Sequence, residues 1–230
     1  MEIRVIHGKG RNLAYTLRAR LHGNSGSKSV FRNYQLKHFK DFHTFALDSR
    51  GHGQSISVDE NYSIEQYSCD VIRFCQALKI ERASVIGYSD GGNISLWLAL
   101  KAPEMFPKIV AISPNYLVSG STDASLMLTK RICRLLTFLG RMGLPTRKQL
   151  LKFDLMLKDI GLSAEDLRKI RTSLRILYAE HDLIKEDHIL NIHQNIPGST
   201  LQKIYKCSHI TIPYRQEAIA DMQNYLAECQ

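Results

Sequence analysis

The chain has 230 residues, 44% hydrophobic and 23% charged, the proportions of a soluble globular protein of one ordinary domain. That length buries a real core without disulfide or metal staples, and no apolar run reaches the roughly 20 residues that cross a bilayer. The net charge of +9 invites a nucleic-acid reading, but residues 116–171 alone hold eleven basic and five acidic side chains while the rest is nearly balanced. A solvated basic helix face is therefore expected there, with attraction of an acidic substrate or an anionic surface as the alternative.

In chain order, Ile3–Ile6 and Leu13–Leu17 are short strand candidates joined by His7-Gly8-Lys9-Gly10. A helix is expected over Ser29–Lys40, then a strand at Thr44–Leu47 ending at Asp48-Ser49-Arg50-Gly51-His52-Gly53. Ser63-Ile64-Glu65-Gln66 has capping-box spacing and opens a helix to about Leu78. Ala83–Gly87 reads as a buried strand and Gly91–Lys101 as the helix after it. Further strands are expected at Lys108–Ser113, Arg175–Ala179 and Thr200–Tyr205, and a last helix from Arg215 to Ala227. Alternating strand and helix implies a mostly parallel sheet covered on both faces. Between residues 115 and 171 only helical patterns occur, at about 124–140, 146–159 and 163–171. The expected organisation is an α/β core of residues 1–114 and 172–230 carrying a helical lid of residues 115–171.

Cys69, Cys75, Cys133, Cys207 and Cys229 are odd in number and form no CxxC pair, so neither a disulfide framework nor a zinc site is expected. Buried free thiols are the simpler reading, above all for Cys75 on the apolar face of its helix. Met1–Lys9 has no apolar h-region and no small-residue cleavage site, so no signal peptide is expected and the location is read as cytoplasmic.

The strongest chemical signal is Gly87-Tyr88-Ser89-Asp90-Gly91-Gly92, a G-x-S-x-G between a buried strand and a helix. A nucleophile there sits on a sharp, strained turn that lifts its hydroxyl clear of the sheet, and side chains at 87 and 91 would collide with backbone. The following helix N-terminus favours developing negative charge. A serine hydroxyl needs a base oriented by a carboxylate. Beyond Ser89 stand His181, His188, His193 and His209. His188 and His193 fall in the amphipathic stretch Lys185–Asn195 and read as surface-helix residues, whereas His209 lies in a loop after the last strand, where a base belongs. Arg175–Ala179 runs into Glu180-His181-Asp182, making Asp182 the best-placed acid, with Glu180 and Asp187 as fallbacks. Two backbone N–H groups should form an oxyanion hole, one from Asp90 and one from Asn24 in His22-Gly23-Asn24-Ser25-Gly26-Ser27.

These segments, with Asp48–Ser55 between them, occur in the order and spacing of the α/β-hydrolase superfamily, which the chain resembles from about residue 13 to 227. The resemblance implies the α/β-hydrolase fold, and in it the stretch matching 48–55 is a turn lining the site, with Arg50 and Ser55 tying loops together. A serine at 89 separates the chain from the epoxide-hydrolase and haloalkane-dehalogenase branches, which use aspartate there. Two departures stand out. Only Thr16–Leu21 precedes the His-Gly loop, with Arg18 and Arg20 where a buried apolar strand should run, so a shortened or altered first hairpin is expected. Asp90 follows the nucleophile, which resembles the Ser-Asp-Gly-Gly elbow of biphenyl-hydrolase-like, valacyclovir-hydrolase-type enzymes. There the acidic residue contributes to recognising a substrate ammonium, and the implied substrate contacts here are Asp90 and Tyr88.

The expected activity is hydrolysis of a carboxylic ester, or a related thioester or amide, of a small molecule through an acyl-enzyme, with no metal or organic cofactor. A C–C bond hydrolase or perhydrolase on the same three residues is the enzymatic alternative, and a catalytically weak small-molecule-binding protein the alternative from another class. No nucleic-acid partner and no membrane span are expected, and a homodimer is left open.

Overall fold

A computed structural model describes residues 5–8, 17–24, 26–31, 37–39, 43–55 and 60–227. Among the described residues are seven strands, β1 (Val5–Gly8), β2 (Leu17–Leu21), β3 (His43–Leu47), β4 (Ser84–Tyr88), β5 (Lys108–Ile112), β6 (Ser173–His181) and β7 (Thr200–Ser208). They form one sheet in the order β1-β3-β2-β4-β5-β6-β7, parallel throughout except for β1, which runs antiparallel to β3 at the edge. The helices are α1 (Ile64–Ala77), α2 (Asp90–Lys101), α3 (Asp123–Arg141), α4 (Arg147–Leu155), α5 (Ala164–Lys169), α6 (Glu186–Asn195) and α7 (Gln216–Ala227).

Successive residues of the central strands serve opposite faces, as a two-residue side-chain period requires. Val85, Ile109 and Ile176 pack in one buried cluster with Tyr67 and Val71 of α1, Ile94 and Leu98 of α2, and Ile189 and Ile192 of α6. Their neighbours Ile86, Val110 and Leu177 pack in the other with Ala218, Ile219 and Met222 of α7. The chain thus has the α/β-hydrolase fold expected of it, a mostly parallel sheet sandwiched by helices. The helix starts follow their caps. The Ser63 hydroxyl accepts from Gln66 N–H at 3.1 Å, while the Gln66 side chain donates to Asp70 instead of returning to the cap. At Ser163 the reciprocal box with Asp166 is complete.

The first hairpin differs from expectation. Val5–Gly8 pairs with β3, and the second strand is Leu17–Leu21, placed centrally between β3 and β4; residues 13–16 lie outside the described residues. The segment carrying Arg18 and Arg20 is itself a strand, buried at Ala19, Arg20 and Leu21. Arg20 fits because its planar guanidinium lies over the Phe39 ring, 4.1 Å from the centroid, both side chains fully buried. The helix expected over Ser29–Lys40 begins as a single 3-10 turn at Lys28–Phe31, with residues 32–36 and 40 outside the described residues. Of the cysteines, Cys75 and Cys207 are buried and Cys69 and Cys133 half-buried, all free; Cys229 lies outside the described residues.

Residues 115–171, expected to be a lid, carry α3, α4 and α5 between β5 and β6. Among the described residues no helix is long and apolar enough to cross a membrane.

Candidate active site

The site is built where β4 turns into α2. Ser89 has φ 56° and ψ −117°, a left-handed conformation that costs a non-glycine residue on the order of 1–3 kcal/mol. The turn closes only because its flanks are glycines. A Cβ on Gly87 would sit 2.1 Å from the Gly91 carbonyl oxygen, and one on Gly91 would sit 2.1 Å from the Leu21 carbonyl oxygen.

His209 directly follows β7, which runs to Ser208, longer than expected. Its Nε2 lies 3.1 Å from Ser89 Oγ and its Nδ1 lies 2.6 Å from Asp182 Oδ1. A carboxylate only accepts, so Nδ1 carries the proton and Nε2 presents its lone pair to the serine hydroxyl. The Asp182 carboxylate is fully engaged: Oδ1 also accepts from Ile184 N–H (3.2 Å), and Oδ2 accepts from Ala179 N–H (2.9 Å) and Ser113 Oγ (2.6 Å). Burial pushes this carboxyl up, but the His209 hydrogen bond and charge, the Ser113 hydroxyl and the Ala179 N–H outweigh it, and its pKa lies below the ordinary aspartate value. Glu180 instead accepts from Lys206 N–H, and Asp187 accepts from the N–H of His188 in the first turn of α6.

Ser113 was not anticipated. It directly follows β5 with φ 50° and aims its hydroxyl at Asp182; a small polar residue at the C-terminal edge of a parallel strand is the available signal. Tyr88 has a use other than the expected substrate contact. Its hydroxyl donates to the His209 carbonyl at 2.9 Å, and its ring lies 5.3 Å from the imidazole. Burial, with the nearby Asp182 charge, holds this phenol above its ordinary pKa, so it remains a donor.

The His-Gly loop lies against the nucleophile: a Cβ on Gly23 would come within 3.0 Å of Ser89 Cβ. His22 fixes this loop. Its Nε2 accepts from Ser49 N–H at 3.1 Å, so Nδ1 carries the proton and donates to the Gly23 carbonyl at 2.8 Å. Asp90, first residue of α2, has a backbone N–H with no intrahelical acceptor, beside Ser89. The Asn24 side-chain amide donates to Asp90 Oδ2 (3.0 Å) and to the Lys152 carbonyl of α4 (2.7 Å), tying α4 to the edge of the site. Burial raises the Asp90 carboxyl above its usual range, only partly offset by Asn24 and by the His209 charge.

The turn after β3 is held by buried polar contacts. Arg50 forms a two-pronged pair with Asp70 of α1, Nε to Oδ2 at 2.7 Å and Nη2 to Oδ1 at 2.9 Å. Burial and the neighbouring His22 push the His52 imidazole down to about 4. Unfolded histidine takes its proton near 6.5, so the folded state is the poorer proton binder and loses stability as pH falls from 6.5 toward 4. Urea unfolding should show roughly 1.5 kcal/mol lost at this residue between pH 6.5 and 5, and His52→Gln should flatten the pH dependence by that amount. An unchanged slope in the variant would contradict this assignment.

His188 lies on α6 as expected but faces inward, not to solvent. Its ring stacks on Tyr116 at 4.9 Å and its Nε2 accepts from Tyr116 N–H at 3.3 Å. His193 is half-buried, with Nδ1 2.8 Å from Ser199 Oγ. Among the described residues no three His, Cys, Asp or Glu side chains converge as a metal-binding group.

Residues 21–142 match the sequence profile of the family described as alpha/beta hydrolase fold, more than half of the chain. The chain belongs to the α/β-hydrolase family. Over 104 residues it is 30% identical to a 2-(acetamidomethylene)succinate hydrolase of Mesorhizobium japonicum, covering 45% of this chain and 37% of that one. Over 77 residues it is 36% identical to 3-oxoadipate enol-lactonase 2 of Acinetobacter baylyi, covering 33% and 29%. The aligned segments therefore span about a third of the length of these curated relatives. The crystal structure of the enol-lactonase from Burkholderia xenovorans superposes with a TM-score of 0.77 at 19% identity, covering 98% of this chain and 96% of that one, a likeness of fold.

Proposed function

We propose that this α/β-hydrolase is a serine hydrolase that cleaves the carboxylic ester, or a related thioester or amide, of a small molecule. The observation that carries the reading is the continuous line Ser89–His209–Asp182, with the proton on Nδ1 and the Nε2 lone pair on the serine hydroxyl. In the reaction His209 removes the hydroxyl proton as Ser89 Oγ bonds to the substrate carbonyl carbon, and Asp182 stabilises the imidazolium. The carbonyl oxygen takes the negative charge, and the backbone N–H groups of Asp90 and Asn24 are the proposed donors to it. His209 then protonates the leaving group, and a water, activated by the same imidazole, releases the acid and regenerates Ser89. The relatives named as a succinate-derivative hydrolase and an enol-lactonase support small-molecule hydrolysis as the reaction class. Residues 115–171 are proposed as the lid over this site, on the contact of α4 with Asn24. The test is hydrolysis of short-chain p-nitrophenyl esters by the wild type and by Ser89→Ala, with turnover present in the first and lost in the second.

Asp90 is proposed as a selectivity group for substrates bearing an amine. Asn24 occupies Oδ2, and among the described residues Oδ1 has no hydrogen-bonding partner. Asp90→Asn should lower kcat/KM for an amino-acid ester about tenfold or more relative to a neutral ester of the same alcohol, the loss of one charge-assisted contact. Equal losses on both esters would remove the selectivity role and leave Asp90 as the support of Asn24.

A further inference from the structure

Of the 19 residues of α3, only Ser125 and Thr129 are buried. Met127, Leu128, Leu135, Phe138 and Met142, with Leu144 just beyond, are each at least 50% exposed. At about 100° per residue, the first five fall within one sector of the helix surface roughly 100° wide. Lys130, Arg134 and Arg141, all exposed, line the adjoining sector, and exposed Arg131 lies within the apolar one. From residue 124 to 153 the chain has seven basic side chains and no acidic one. Inside the protein α3 leans on α4, where Thr146 Oγ donates to the Leu136 carbonyl at 2.8 Å. Its outer face has no cover among the described residues.

We propose that α3 lies on an anionic phospholipid surface, its Met, Leu and Phe side chains in the headgroup–acyl boundary and its Lys and Arg side chains among the phosphates. An interfacial helix has this composition: an apolar face of large side chains, flanking cations long enough to keep their charge at headgroup level, and low overall hydrophobicity. The helix is not apolar enough to span. A second copy of the chain suits the face poorly. A twofold contact lays the patch on itself, and its cations would then mostly oppose cations, Asp123 at one end being the helix's single carboxylate. α4, on which α3 packs, also accepts from Asn24 through the Lys152 carbonyl, and Asn24 bonds to Asp90 next to Ser89, so α3 docks through a helix that touches the edge of the site. This surface goes beyond the hydrolase reading and does not rest on it.

Co-sedimentation of the full chain carrying Ser89→Ala with vesicles tests the surface apart from any turnover. Binding is expected to phosphatidylglycerol–phosphatidylcholine vesicles, not to phosphatidylcholine alone, and to fall with salt. Arg131→Glu/Arg134→Glu and, separately, Leu135→Ser/Phe138→Ser should each weaken it about tenfold or more. Both pairs are surface substitutions, and circular dichroism and Tm verify folding. Arg73→Glu/Arg168→Glu, the same charge change on exposed residues of α1 and α5, should weaken it much less. Equal binding to uncharged vesicles, equal loss in the control, or no effect of the α3 variants would overturn the proposal. So would an absence of vesicle binding together with self-association, or capture of an acidic protein, that the α3 variants abolish.

Discussion

Ser89→Ala is expected to lower kcat for ester hydrolysis by about 10⁴–10⁶, leaving only the rate supplied by substrate binding and the oxyanion donors. The change removes one oxygen and nothing else from the turn. The substituted alanine keeps a Cβ, so the close approach of Gly23 is unaltered, and the Gly87 and Gly91 contacts that shape the elbow do not involve the hydroxyl. His209 loses its contact at Nε2 but keeps Asp182 at Nδ1 and Tyr88 on its carbonyl, so it stays in place. The expected result is therefore a folded, substrate-binding protein without turnover, measured as kcat with Tm as the folding control. His181→Ala is the matched control, since that imidazole is 77% exposed and takes no part in the contacts around Ser89. A serine variant retaining more than about a tenth of wild-type kcat would mean that another group attacks the carbonyl.

Asp182→Asn should cost about 10⁴ in kcat near neutral pH, for a reason set by its partners. Each carboxylate oxygen faces one backbone donor, and the Oδ2 side holds the shorter bonds, from Ala179 N–H (2.9 Å, against 3.2 Å from Ile184 N–H) and Ser113 Oγ (2.6 Å), so the new amide is expected to put its oxygen there and its NH₂ toward His209 Nδ1. Nδ1 must become the acceptor, the ring proton moves to Nε2, and the lone pair that Ser89 needs is gone. Ile184 N–H loses its acceptor in the same step, so stability should drop by about 1–3 kcal/mol, short of unfolding the domain. Asp182→Ala leaves Ser113, Ala179 and His209 all without the carboxylate and should lose more stability for a similar loss of rate. A kcat within tenfold of wild type for the asparagine variant would contradict the assignment of the acid.

How much of this was legible in the sequence depends on how local each constraint is. The elbow was legible because two glycines, a serine and the flanking strand and helix are consecutive, and the collisions that forbid side chains at 87 and 91 come from backbone packed tightly around that same turn. His209 and Asp182 were legible as residues at strand ends, although β6 and β7 both run further than their apolar patterns suggested. The strand at Leu17–Leu21 was not, because two arginines in five residues break the expected apolar run. Arg20 lies there with its guanidinium over the Phe39 ring, a contact made by the fold and invisible to any local window. The antiparallel pairing of β1 with β3 is likewise non-local. His188 was misplaced because a helical pattern gives the direction of a face but not which neighbour covers it, here the ring of Tyr116. The Ser113–Asp182 and Asn24–Asp90 bonds join residues 69 and 66 positions apart, and only the sheet brings them together.

The central claim is that Ser89 is the attacking group, and covalent labelling addresses it without knowledge of the natural substrate. Incubation with a fluorophosphonate, followed by peptide mapping by mass spectrometry, should give one adduct per chain, on the peptide containing Ser89. Labelling should be absent in Ser89→Ala and strongly slowed in Asp182→Asn. An adduct on any other residue, or labelling that persists when Ser89 is replaced by alanine, would contradict the account.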